Sequence, residues 1–441
     1  MKDGLIVTMD GNRKIIERGS VEIEDKKIKR VGKFREDKNS EEVIDATGKI
    51  VMPGLICSHT HSYGMLLRAT PLRIDPPTDL MQILQRVWWP IDEAMTQKDA
   101  YASALITCLK FIKTGTTCFA DTYSGSNSIG RSLDRISSAI GESGLRAFIG
   151  FEATERHTRA EGARGMQENV RFLKRTLKKK RSRVRGLVSI HASFTVSDEL
   201  LRHARRVSRR FNAPITIHAS EGQVDPQHNL QKYGKRAVER LHDVGILSSN
   251  TVLAHCVHVN EDELSIMKKT EAKVAHNPMS NMLNGVGVAP VPKMLEKEIS
   301  VGLGNDGYIF DGFENLRSAY LIHKANARDP RIITPYQALE MATINGAKLY
   351  GLEDKLGSIE TGKLADLIII NPDSLPTPLR RKNVVEHIVN SVRGCDVETV
   401  IVDGRLLMRE KRVITLDEEE VVKMSKKSAE KIWKKLGAIK R

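Results

Sequence analysis

Apolar and polar positions divide the chain into three zones. In residues 1–52, short apolar stretches (LIVTM, SVEIEDKKIKRVG, VIDATGKIVMPG) are separated by turn signals such as DGN, a pattern that predicts short strands. From 53 to 355 the rhythm changes. Eight short apolar runs recur in order: LICSHTH, TTCFAD, RAFIGFE, LVSIHAS, PITIHAS, TVLAHC, AKVAHN and ISVGLGND. Between them lie segments of helical period, among them DAYASALITCLKFIKTG, SIGRSLDRISSAIGESG and DELLRHARRVSRRFN. Strand-like runs alternating with helices predict an α/β fold, a parallel (β/α)8 TIM-like barrel. Residues 356–416 return to strands in GSIETGKLADLIIINP and VETVIVDGRLLMREKRVI, and 417–441 read as a closing basic helix. The first and third zones are alike, so they are expected to pair into one small β-sandwich domain with the barrel inserted between them.

Composition narrows the class without naming it. The 441 residues are 40% hydrophobic and 28% charged, as in a soluble globular protein. No apolar run approaches the ~20 residues that span a bilayer. The N-terminus, MKDGLIVTMDGNRK, lacks the apolar core and cleavage site of a signal peptide. Five cysteines (Cys57, Cys108, Cys118, Cys256, Cys395) are scattered without CxxC spacing, which suits a reducing cytoplasm. The net charge of +15 would suit an acidic partner. Its excess sits in runs at 174–185 and 202–210 and at the C-terminus, with no interleaved aromatic residues to stack on bases. The runs read as solvated helix faces, and a nucleic-acid partner is the lesser reading.

The chemistry lies at the ends of the predicted strands. His59 and His61, His191, His218, His255 and Asp306 all end a barrel run or lie close to its end. In a parallel barrel that end forms the active-site face. His59 and His61, two apart on a strand, project to the same side. With His218 and Asp306 they make a set of N and O donors for one divalent ion, with room for water: Zn²⁺ by preference, with Fe²⁺ or Mn²⁺ acceptable on donor type. Taken singly, an HxH pair, a strand-end His or an Asp in a turn is an ordinary structural feature. Burying so many ionisable groups together without a metal would be costly. Glu221, three residues after His218, is placed to move protons near such an ion. Cys57 and Cys256 lie beside His59 and His255 and are thiolate candidates, although buried cysteines usually serve as small apolar residues.

The ordered set PGLICSHTH, THASEG, LAHCVH, HNPMSNM and GNDG resembles the amidohydrolase superfamily, in its branch of 5'-methylthioadenosine/S-adenosylhomocysteine deaminases, triazine hydrolases and guanine-type deaminases. The resemblance runs over almost the whole chain, including GSIETGKLADLIII. It implies that His59, His61, His218 and Asp306 ligate the metal, that Glu221 is the proton shuttle, and that His255 holds the attacking water. It also implies that His191 contacts the heterocycle. Strand four, LVSIHAS, lacks the bridging lysine of the binuclear relatives, so a single ion is expected.

Around the substrate the chain departs from the nucleoside-acting members. Asp92 of WWPID stands where they carry a ribose-binding Glu, Phe151 where they carry an Arg, and Ile83 where they carry a Trp. Arg164 matches a second substrate arginine. The expected activity is hydrolytic deamination of a small N-heterocycle, first an adenine nucleoside such as 5'-methylthioadenosine, S-adenosylhomocysteine or 5'-deoxyadenosine. Guanine, 8-oxoguanine or a triazine is the alternative, and a non-catalytic basic binding protein is the remote one. A homo-oligomer is in keeping with this class of barrel.

Overall fold

The computed structural model describes residues 1–34, 42–178 and 182–438. Lys179, Lys180 and Arg181 of the basic run at 174–185, and the last three residues of the C-terminal run, lie outside the described residues.

Strands β1 (Gly4–Val7), β2 (Ile15–Glu24), β3 (Lys27–Gly32) and β4 (Ile50–Pro53) come from the N-terminal zone. The eight apolar runs then form the barrel: β5 (Leu55–Thr60), β6 (Thr116–Tyr123), β7 (Arg146–Ala153), a fourth strand in two pieces, β8 (Val184–Gly186) and β9 (Val188–Ala192), then β10 (Ile215–Ala219), β11 (Thr251–His255), β12 (Lys273–His276) and β13 (Val301–Leu303). Each pairs in parallel with the next. The ring closes where the amides of Asn305 and Asp306 donate to the His59 carbonyl, at 2.9 and 3.2 Å. The fold is therefore the expected α/β barrel.

β14 (Leu367–Ile370), β15 (Val397–Val402), β16 (Arg405–Arg409) and β17 (Arg412–Val413) complete a second sheet in the order β17-β16-β15-β14-β4-β1-β2-β3. Both chain ends thus build one small β-domain, knitted by the antiparallel pairing of β4 with β14. It holds its own core, including Ile6, Ile28, Val51, Leu367 and Ile401. Arg146, at the start of β7, joins the two bodies. Its buried guanidinium pairs with Asp366 at 3.0 Å and Asp403 at 2.5 Å, both on the β-domain.

Two features of the barrel shape its upper face. An apolar layer of Ile56, Ala120, Phe148, Leu187, Val252 and Ala275 fills the interior below it. Above that layer the β5–β6 register shifts between Cys57 and Thr60. Such a bulge re-aims the side chains that follow it, and His59 and His61 lie just there. The β9–β10 register shifts likewise between Ile217 and His218.

The helix Glu418–Lys435 returns to the barrel. Its Trp433 donates to the Leu66 carbonyl at 3.2 Å, and Lys435 to the Ala94 carbonyl at 2.7 Å. No helix among the described residues is long and apolar enough to cross a membrane.

Candidate active site

Four donors from three strand ends, those of β5, β10 and β13, converge under the mouth of the barrel. His59 Nε2 and His61 Nε2 each lie 3.2 Å from Asp306 Oδ1. His61 Nε2 lies 3.2 Å from His218 Nε2, and His218 Nε2 lies 3.9 Å from Asp306 Oδ1. A tetrahedral ion with bonds of ~2.0–2.1 Å requires its ligands ~3.3–3.4 Å apart, so the spacing fits one ion. The imidazoles are turned for the task. His61 Nδ1 donates to the Thr122 carbonyl at 3.0 Å, and His218 Nδ1 to the His191 carbonyl at 2.8 Å, which turns both Nε2 atoms toward the other donors. Ser280 Oγ donates to Asp306 Oδ2 at 2.6 Å. Such outer contacts fix ligand orientation.

Close packing backs this geometry. Gly304 precedes Asn305 and Asp306, and a Cβ there would meet Asn277 Oδ1 at 2.3 Å and the His59 carbonyl oxygen at 2.8 Å. Asp306, His255, Cys256 and Ser220 all hold positive φ, from 50° to 73°. Non-glycine residues in that region are strained, and such strain gathers at functional sites.

Beside the donors, His255 Nδ1 donates to Asn281 Oδ1 at 2.8 Å, while its Nε2 is buried without a partner. That orphan atom lies 3.6 Å from Asp306 Oδ1 and 3.7 Å from Glu221 Oε2, facing the space between them. Glu221 sits at the rim, with its side chain 12% exposed. His191 lines the cavity and hydrogen-bonds Thr195 Oγ1 through Nδ1 at 2.8 Å.

Burial and neighbouring charge set the ionisation. Burial, opposed by Glu152 and aided by the positive charge of its neighbours, holds His191 down at about 3. Burial would also lower His61 and His255, but the Glu152 and Asp306 carboxylates outweigh it at His61 and hold it up at about 10. Glu221 and Asp306 do the same at His255, at about 9. Asp306 resists its own burial and stays well below the usual carboxylate range because His255, His218 and His59 surround it.

The cavity wall brings in some of the expected substrate residues and not others. Asp92 lines it and is 2% exposed. Its Oδ2 pairs with Arg156 Nη1 at 2.6 Å, and burial still pushes the carboxyl up to about 7. Arg156, which the sequence reading passed over, is buried, lies over the Trp89 ring at 5.4 Å, and keeps Nε and Nη2 unpaired. Arg164 is exposed on the helix Arg159–Leu177, away from the cavity lining, so the structure does not bring it to the site. Phe151 is a buried β7 core residue. At the position read as Ile83, Leu80 and Leu84 line the cavity instead, one on each side of it in sequence. The turn Leu84–Trp88 is π-helical, an insertion common at functional sites.

Cys57 and Cys256 are buried free thiols that join no donor cluster. Burial pushes Cys57 up to about 12 and raises Cys256 further, so both are protonated. Glu152 is a second residue the sequence reading missed; it is buried on the cavity wall at the end of β7.

Known proteins agree with this architecture. The chain is 35% identical over 436 residues to a 5'-deoxyadenosine deaminase of Methanosarcina acetivorans, covering 98% of each. It is 34% identical over 445 residues to a 5-methylthioadenosine/S-adenosylhomocysteine deaminase of Syntrophomonas wolfei, covering 97% of each. Among solved structures, a zinc-bound adenosine deaminase of Xanthomonas campestris superposes with TM-score 0.86 at 21% identity, covering 98% of this chain and 97% of that one. A zinc complex of the atrazine chlorohydrolase of Arthrobacter aurescens superposes with TM-score 0.83 at 22% identity, covering 97% and 99%. At such identities these structures speak for the fold. Residues 50–407 match the Amidohydrolase family, and the chain belongs to that family.

Proposed function

We propose that this protein is a metal-dependent aminohydrolase that removes the exocyclic amino group of an adenine nucleoside as ammonia. The observation that carries the reading is the convergence of His59, His61, His218 and Asp306 with Glu221 and His255 beside them, where His61, His218, Glu221 and Asp306 line one cavity. His59, His61, His218 and Asp306 would hold one divalent ion. Zinc suits the near-tetrahedral spacing best, and Fe²⁺ or Mn²⁺ is an outcome that metal analysis separates from it. When bound, the ion supplies the Lewis acidity that makes water a nucleophile near neutral pH.

The chain's own groups do the rest. Asp306 and the orphan His255 Nε2 orient the attacking water between them. Glu221 accepts its proton and delivers it to the ring nitrogen beside the amino-bearing carbon, which makes that carbon electrophilic. A second proton passes to the amino group, and the C–N bond breaks to give ammonia and the oxo product. His191, neutral at neutral pH, offers its ring to the heterocycle. Asp92 is one methylene short of a glutamate, and Arg156 pins it into the wall as an acceptor for ribose hydroxyls. The relatives' own substrates, 5'-deoxyadenosine, 5-methylthioadenosine and S-adenosylhomocysteine, are the nucleosides of choice. The five free cysteines suit a reducing cytoplasm.

The test is ammonia release from metal-loaded protein given these three nucleosides, adenosine, guanine and 8-oxoguanine. A kcat/KM above ~10⁴ M⁻¹s⁻¹ on a nucleoside is expected. Silence on all four nucleosides from protein holding one ion per chain would refute the adenine-nucleoside assignment.

A further inference from the structure

The four donors, Glu221 and His255 leave the buried carboxylate of Glu152 on the cavity wall without a task. Glu152 closes the inner face of β7, is 2% exposed, and pairs with no lysine or arginine among the described residues. It touches instead the supports of two candidate ligands. Oε1 lies 3.4 Å from His218 Nδ1 and accepts from Thr122 Oγ1 at 3.5 Å. Thr122 in turn contacts His61 Nδ1 through its hydroxyl at 3.0 Å and its carbonyl at 3.0 Å. Ser124 Oγ donates to Oε2 and holds the carboxylate in place.

His61, Glu152 and His218 could be taken for a second cation site, but their hydrogen bonds argue against it. Both Nδ1 atoms already carry protons given to backbone carbonyls, and both Nε2 atoms face the first donor cluster. The carboxylate therefore acts behind the histidines, on the side away from the ion.

Charge explains why it is there. A divalent ion with three neutral imidazoles and Asp306 leaves one net positive charge deep in the barrel. An uncompensated buried charge is costly. Glu221 changes its charge during the reaction and cannot be the standing counterion. Glu152, buried 3.4 Å from His218 Nδ1 and held by hydrogen bonds from Ser124 and Thr122, is placed to be that counterion.

We propose that Glu152 is a positioning residue for metal binding. From β7 it neutralises the loaded centre and locks the Nδ1–H tautomers of two ligands, one just past β5 and one on β10. The proposal rests on the metal-site reading given above.

The experiment measures zinc content and zinc affinity, by chelator competition, for the wild type, Glu152→Gln and Ser124→Ala, together with the absorption bands of the cobalt-substituted proteins. Wild type empty of metal after reconstitution would sink the metal-site reading itself. With the wild type loaded, Glu152→Gln is expected to bind zinc ~10–100-fold more weakly, with displaced cobalt bands. Affinity within about twofold of wild type overturns the proposal, and so does a change confined to KM, which would make Glu152 a substrate contact. If Glu152→Gln does not fold, Ser124→Ala decides: weakening of ~3-fold or more supports the role, and unchanged affinity overturns it.

Discussion

Replacing Arg156 by methionine tests whether that arginine keeps Asp92 ionised. Asp92 titrates at about 7 in the folded protein, against ~3.9 in an unfolded chain. The folded state therefore binds the extra proton between those values, and stability falls as pH rises through them. The Nη1–Oδ2 contact is 2.6 Å, which puts the charge centres ~4 Å apart; at an effective dielectric of ~20 the attraction is ~4 kcal/mol, or ~3 pKa units. Without it Asp92 would titrate near ~10. Wild-type stability then stops falling at pH ~7, whereas the variant goes on losing ~1.36 kcal/mol per unit. Loss of the packing over Trp89 adds an offset that does not depend on pH. Beyond that offset, the gap in unfolding free energy from urea titrations should be near zero at pH 5 and ~2.7 kcal/mol at pH 9. A gap that stays flat from pH 5 to 9 would refute the reasoning. KM for ribosides should rise more than kcat falls, because Asp92 would be neutral at assay pH.

Other perturbations test other parts of the molecule. Glu221→Gln should keep its metal and lose ~10²–10⁴-fold in turnover; metal content and ammonia release measured on the same sample check this, and intact turnover would remove the shuttle role. Gly304→Ala drives a Cβ against Asn277 and the His59 carbonyl, so the purified variant should carry far less zinc, as read by elemental analysis. Arg146→Met strands the buried carboxylate of Asp366 and weakens the pairing of Asp403, at ~3–5 kcal/mol, seen as a lower urea midpoint with activity retained where the protein stays folded. Trp433→Phe loses the bond to Leu66, at ~0.5–1.5 kcal/mol, and thermal unfolding should register that small loss.

Much of the candidate site was legible because a barrel places strand ends in one ring, so a ligand-type side chain at the end of each apolar run has few other places to go. That rule found His59, His61, His218, His255 and Asp306. Applied to RAFIGFEA it would also have found Glu152, but glutamate in a strand end bordered by polar residues looks like ordinary surface. Arg156 was hidden for a different reason. Its role depends on Asp92, 64 residues away, and nothing local marks a loop arginine as buried. Arg164 was misplaced because motif spacing does not say which face of a helix turns outward. The closure of the small β-domain was visible only as likeness between two zones, since pairing register is set by three-dimensional contact.

That pairing bears on how the chain is made. β4 meets β14 with Pro53 opposite Leu367, so the partner of an early strand emerges 314 residues later. At ~5–20 residues per second, a ribosome leaves that strand's hydrogen-bonding edge unpaired for roughly 15–60 s. A bare edge of apolar sequence, Ile50-Val51-Met52, is a template for joining a neighbouring chain. Nascent chains of this protein would therefore need shielding on crowded polysomes throughout synthesis of the barrel.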